Sequence, residues 1–150
     1  MRNALIAGVT AAVVLVLVAA VTAGAAPTGR SATVTTARTG LGRVVVDGRG
    51  RSLYLFEKDT RGRSACSGVC AAYWPPLLTN GRSIAIKGAK PSLLASIRRA
   101  DGSRQVSYAG HPLYFFSGDT RRGQTNGEGL QDFGAGWYVL TPSGKKIDRD

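Results

Sequence analysis

Gly50-Arg51-Ser52-Leu53-Tyr54-Leu55-Phe56-Glu57-Lys58-Asp59-Thr60-Arg61 lies over Gly110-His111-Pro112-Leu113-Tyr114-Phe115-Phe116-Ser117-Gly118-Asp119-Thr120-Arg121 without a gap, at a constant offset of 60 residues. Gly, Leu, Tyr, Phe, Asp, Thr and Arg recur at matching positions. The same offset sets Val46 on Val106, and Trp74 meets Trp137 once three residues are inserted. Self-similarity at a fixed period marks one supersecondary unit used twice. Two copies are too few for a solenoid, so the pattern predicts a closed domain whose halves pack about a pseudo-twofold axis. Ser52-Leu53-Tyr54-Leu55-Phe56 and Pro112-Leu113-Tyr114-Phe115-Phe116 are apolar or aromatic on both faces, as expected of central strands buried on both sides. Leu53, Leu55, Phe56, Leu113, Phe115 and Phe116 are therefore the expected common core.

Around this doubled unit the punctuation is that of a β protein. Gly40-Leu41-Gly42 leads into Arg43-Val44-Val45-Val46, and Asp47-Gly48 supplies a turn. Ser83-Ile84-Ala85-Ile86-Lys87 alternates as a half-buried strand does. Residues 95–100 and Gln105-Val106-Ser107-Tyr108 flank Asp101-Gly102, a dipeptide suited to a two-residue type I′ hairpin turn. Trp137-Tyr138-Val139-Leu140, the turn Pro142-Ser143-Gly144 and Lys145-Lys146-Ile147 close the chain. Pro91-Ser92-Leu93-Leu94 is the candidate for a short helical turn. The expected fold is all-β, a small pseudo-symmetric sandwich or open barrel with at most one or two short helical turns. It spans 40–150, with repeats at about 43–78 and 103–141.

The N-terminus has a different character. Arg2 is followed by residues 4–26 without a charge, mostly Ala, Val and Leu, ending near Ala23-Gly24-Ala25. A basic start, an apolar run and small residues read as a secretory signal peptide. An uncleaved membrane anchor helix is the other reading, because roughly 20 apolar residues span hydrocarbon. Both put the remaining chain outside the cytoplasm. Residues 27–39 are Thr, Ser, Ala, Gly and Arg with Val34 the one large apolar residue, a composition expected of a flexible linker.

The string Ser64-Ala65-Cys66-Ser67-Gly68-Val69-Cys70-Ala71-Ala72-Tyr73-Trp74-Pro75-Pro76-Leu77-Leu78, following Leu-Tyr-Leu-Phe-x-x-Asp-Thr, resembles the secreted-repeat lipoprotein family of unknown function. The second half carries the same resemblance in Asp101-Gly102-Ser103-Arg104-Gln105-Val106-Ser107-Tyr108, Gly110-His111-Pro112-Leu113-Tyr114 and Gly118-Asp119-Thr120. The resemblance implies an exported envelope protein with paired repeats and no established activity. It does not extend to lipid anchoring, since residues 23–27 lack the cysteine a lipoprotein carries after its cleavage site.

Cys66 and Cys70 are the only thiols, and outside the cytoplasm a disulfide is the expected state. Four residues apart they fit a regular helix badly, so a bridge needs the turn that Ser67-Gly68 supplies. The alternative is a soft copper site of Cys66, Cys70 and His111, because two thiolates and an imidazole suit Cu(I). Enzyme chemistry has little to stand on: no Gly-x-Ser-x-Gly, His-Glu-x-x-His or phosphate loop occurs, and one histidine serves the whole chain. The acids of residues 119–129 miss the spacing of a calcium loop, and a Gly-rich hairpin loop is expected there.

Twenty Lys and Arg stand against nine Asp and Glu, a net charge of +11. No helix-spaced basic stripe or basic-aromatic motif points to nucleic acid. The partners expected outside the cell are an envelope protein or an anionic polymer or lipid surface, with no cofactor. Tyr73, Trp74, Arg121 and Arg122 form the candidate binding surface. The function read from the sequence is thus a non-catalytic, secreted or cell-envelope domain, with copper handling or electron transfer as the alternative.

Overall fold

The computed structural model describes residues 30–147. The expected signal or anchor segment lies outside the described residues, and among these no helix is long and apolar enough to cross a membrane. The described residues are built from short strands in three small sheets, none closed into a barrel.

The first sheet corrects the expected linker. Thr33–Thr39 is a strand, β1, paired antiparallel with β2 (Gly42–Asp47) from Val34 opposite Asp47 to Thr39 opposite Gly42. Composition misleads here because a strand that is mostly half-exposed needs few buried side chains. Val34 is fully buried, and the flanking threonines are β-branched residues that suit a pleated surface. β4 (Ile84–Ala85) joins the other edge of β1 in parallel, Val34 opposite Ala85. That pairing turns Ala85 inward and leaves Ile84 and Ile86 exposed, the reverse of what their alternation suggests.

The second sheet orders β3 (Tyr54–Phe56), β9 (Ala135–Val139) and β8 (Gln131–Asp132), with Tyr54 opposite Val139 and Phe56 opposite Trp137. The third orders β5 (Leu94–Arg98), β6 (Arg104–Tyr108) and β7 (His111–Pro112). A five-residue helix, α1 (Val69–Tyr73), follows Gly68, and a 3-10 turn occupies Pro91–Leu93. The latter is where the sequence places it; α1 is an addition.

The β5–β6 hairpin forms as expected, but its turn is of another kind. Arg99 N–H bonds to Ser103 O and Gly102 N–H to Arg99 O, with Gly102 at φ 84. This is a three-residue loop with glycine in the left-handed position. Two-residue turns with both φ values positive occur instead at Ala109-Gly110 and Phe133-Gly134.

The pseudo-twofold axis passes between Tyr54 and Tyr114. These equivalent residues exchange both backbone hydrogen bonds, Tyr54 N–H to Tyr114 O at 2.8 Å and the reverse at 3.0 Å. Leu53 N–H donates to Val45 O, and Leu113 N–H to Val106 O; Val45 N–H reaches Leu140 O, and Val106 N–H reaches Leu77 O. Val45, not Val46, is thus the partner of Val106. The gapless register breaks before Gly50 because the β2–β3 turn holds one residue more than its counterpart. The second apolar segment is extended but forms no regular ladder beyond Pro112. Leu113 bonds to Val106 and Leu77, Tyr114 to Tyr54, and Phe115 N–H to Pro75 O, so its backbone serves several neighbours in turn.

Strand β3 is buried on both sides as expected, but it separates two cores, so the residues expected in one common core are divided between them. On one side Leu53 and Leu55 join Val34, Val45, Leu77, Val106, Leu113 and Leu140. On the other Tyr54 and Phe56 join Trp74, Tyr114, Trp137 and the two cysteines. Phe115 and Phe116, expected in the common core, are only half-buried, and Phe115 lies under the Arg51 guanidinium at 4.5 Å.

Candidate functional site

The aromatic core explains the repeated residues one by one. Trp74 and Trp137, equivalent in the two repeats, stack with centroids 3.9 Å apart and planes 6° from parallel. Phe56 continues the stack on Trp137 at 4.0 Å, and Phe116 lies against Trp74 at 4.4 Å. Tyr54 meets Trp74 edge-on at 5.3 Å, and Tyr114 meets Trp137 edge-on at 5.1 Å. Each tyrosine then crosses to the other repeat's aspartate. Tyr54 Oη donates to Asp119 Oδ2 at 2.6 Å, and Tyr114 Oη donates to Asp59 Oδ2 at 2.8 Å. The second oxygen of each carboxylate accepts a backbone amide, Ala65 N–H for Asp59 and Asn126 N–H for Asp119. Arginines near the Asp-Thr motifs also cross: Arg61 covers Gly110 of the second repeat, and Arg122, one residue beyond the equivalent Arg121, covers Gly50 of the first.

The two crossings differ in what surrounds them. Tyr114 Oη also meets Ser64 Oγ at 2.7 Å, and Arg99 Nη1 donates to Ser64 Oγ and to Gln105 Oε1. Arg99 Nη2 donates to Cys66 O, and Gln105 Nε2 to Leu113 O, so this polar chain is satisfied to its end. Burial lifts the Asp59 carboxyl to about 6, and burial likewise raises Asp119. Burial first and the facing aspartate second push both phenols above their ordinary range. The tyrosines therefore stay protonated donors, and the pairs act as fasteners between repeats.

Cys66 and Cys70 form a disulfide, with Cα atoms 5.3 Å apart. It ties the 66–70 loop to the first turn of α1, and Gly68 at φ 57 supplies the intervening turn. His111 lies elsewhere, opening β7 beside Asp59 and Arg61, where burial and then the Arg61 charge lower its pKa. Among the described residues no three of His, Cys, Asp and Glu converge as a metal-binding group. The structure thus joins the two cysteines and does not bring His111 to them.

Of the candidate binding surface, Trp74 must be removed: it is fully buried in the stack, because its large ring contributes most to the core there. Tyr73, Arg121 and Arg122 are exposed. Loop 119–127 is pinned from inside by Asp119 and by Gln124 Oε1, which accepts Thr120 N–H and Arg121 N–H. Sequence reading missed Ser64, Arg99 and Gln105, whose partners are remote in the chain. It also missed Phe133, which is exposed at the β8–β9 turn and touches Tyr73 at a ring distance of 6.1 Å. The available signal was an aromatic residue directly before glycine in a two-residue turn.

Most carboxylates of the described residues have a partner within the domain. Asp47 accepts Arg49 N–H and Arg51 N–H, Asp101 accepts Ser103, and Glu128 accepts Val139 N–H. Glu57 pairs with Lys146 at 2.9 Å. Many basic side chains, including Arg38, Arg43, Arg63, Arg82, Arg98, Arg104, Arg121 and Arg122, are exposed.

A family model described as a secreted repeat of unknown function matches the chain twice, over residues 35–78 and 95–141. No significant match was found among curated proteins or among solved structures. The matched segments begin in β1 and β5, so each includes the strand that pairs with its own hairpin strand. Each also holds one crossed tyrosine, the aspartate that accepts the other copy's tyrosine, and one stacked tryptophan. The chain belongs to the family of secreted repeats of unknown function and carries two copies of the repeat.

Proposed function

We propose that this protein is an exported, non-catalytic domain of the cell envelope that holds to an anionic surface or partner through its basic exterior. The observation that carries this reading is the division of charge. Among the described residues most carboxylates are engaged by backbone amides, hydroxyls and Lys146, while every arginine but Arg51 and Arg99 is exposed. A surface of one sign attracts anions and raises the rate of encounter with them. The tyrosines and aspartates, the most perturbed groups in the domain, are explained by fastening the repeats together, and need no substrate. Copper handling by Cys66, Cys70 and His111 is the alternative, and it requires the disulfide opened and the histidine carried to the sulfurs.

Binding to a soluble anionic polymer such as polyphosphate, measured over increasing salt, tests the reading. Affinity is expected to fall steadily as salt screens the surface charge. Replacing Arg121 and Arg122 with Gln should weaken binding and flatten that dependence. Binding indifferent to salt, or no binding to any anionic surface, would contradict it.

A further inference from the structure

We infer that Val69 and Tyr73 of α1, with Phe133 of the β8–β9 turn, form a tip that inserts shallowly into an anionic lipid surface. The inference rests on the anionic-surface reading and names its partner. All three side chains are apolar or aromatic and exposed: Val69 67 %, Tyr73 56 % and Phe133 40 %. Val69 and Tyr73 stand four residues apart on α1, hence on one face of the helix. The Tyr73 and Phe133 rings lie 6.1 Å apart, tilted by 44°.

Phe133 gives the second, independent observation. Its φ is 57, in a turn whose next residue, Gly134, is at 90. An L-residue with a β-carbon is disfavoured there, and Asn or Gly is the relaxed choice. A bulky aromatic at that position does nothing for the turn; it presents a ring at the hairpin's end. Bulky residues held in such backbone regions cluster at functional sites.

The neighbourhood fits lipid better than protein. Lys58 Nζ lies 3.8 Å from where a β-carbon on Gly134 would stand, so a cation accompanies the turn beside the Asp132 carboxyl that precedes Phe133. Helix α1 has no charged residue, so insertion draws no helix charge into the headgroups. Three side chains cannot bury the ~1,200 Å² or more of a stable protein interface. Aromatic rings at headgroup level, helped by basic residues, do suffice for interfacial attachment. The mount is rigid: Tyr73 directly precedes Trp74, Phe133 is four residues before Trp137, and those two indoles stack in the core.

Both cores and the disulfide lie within residues 32–147, so fragment 27–150 keeps the fold without the apolar N-terminal run. Its binding is measured to phosphatidylglycerol-containing vesicles, to phosphatidylcholine vesicles and to soluble polyphosphate. The wild-type fragment should bind the first and the polyphosphate. Val69→Ser combined with Phe133→Asn should lower vesicle affinity about tenfold or more, by removing two apolar side chains from the tip, and leave polyphosphate binding unchanged. Native near-UV circular dichroism certifies the fold, and Val69→Ser alone repeats the test with the turn untouched. Vesicle binding unchanged in both variants overturns the inference. So does wild-type binding to polyphosphate without binding to vesicles, which leaves the anionic-surface reading standing. Binding to neither removes both.

Discussion

Asp59 and Asp119 hold the same place in their repeats, and each, Asp119 buried and Asp59 half-buried, meets a tyrosine from the other copy. An acid whose folded pKa lies above its unfolded value binds more protons in the native state over the interval between the two. Its stabilising effect is complete below the unfolded value, near 3.9, and is lost as pH rises through the folded one. For Asp59, raised to about 6 by burial, that interval runs from about 4 to 6. His111 works in the opposite sense, since burial favours its neutral form and adds stability as pH rises past its ordinary range. The contribution of Asp59 is therefore isolated by comparing wild type with Asp59→Asn. Urea midpoints measured from pH 4 to 6.5 should show a decline in wild type that is clearly shallower in the variant. Parallel curves would mean that the Asp59 carboxyl is not held in its protonated form.

Elements were legible where the side-chain pattern alone decides burial. The run 53–56 is apolar on both faces, and it divides the two cores. β1 was not legible, because its thirteen-residue surroundings look like a tether and its burial depends on β2 and β4, which the composition of that stretch cannot reveal. Which face of β4 is buried was not legible for a related reason: both its faces carry small or apolar residues, and the parallel pairing with β1 chose Ala85. The turn at 100–102 differs from expectation by one residue, within the freedom that Asp-Gly leaves. The disulfide was legible from compartment and spacing, while the helix it borders was not. Since the bridge closes a loop of only five residues and the core surrounds it, replacing both cysteines with Ser should cost about 2 kcal/mol and keep the fold. Urea unfolding of the double variant tests this; failure to fold would show that α1 and the Trp74 stack depend on the bridge.

At the scale of the whole molecule the repeat was plain, but its reason was not. Tyr54, Asp59, Tyr114 and Asp119 recur in register, yet a sequence cannot say whether each tyrosine serves its own aspartate or the other copy's. The fold answers with bonds spanning 65 and 55 residues, and with two tryptophans that stack only when both copies are present. Each repeat thus supplies half of a core that neither completes alone, which is why the same residues are needed twice. A double-mutant cycle on urea stability tests this crossing most directly, using Tyr54→Phe with Asp119→Asn, and Tyr54→Phe with Asp59→Asn as the comparison. Between the repeats the cycle should give a coupling of about 1–3 kcal/mol, the range for a buried hydrogen bond to a charged group. Within the first repeat the two changes should add to within about 0.5 kcal/mol. Coupling of Tyr54 to Asp59 and none to Asp119 would contradict the account.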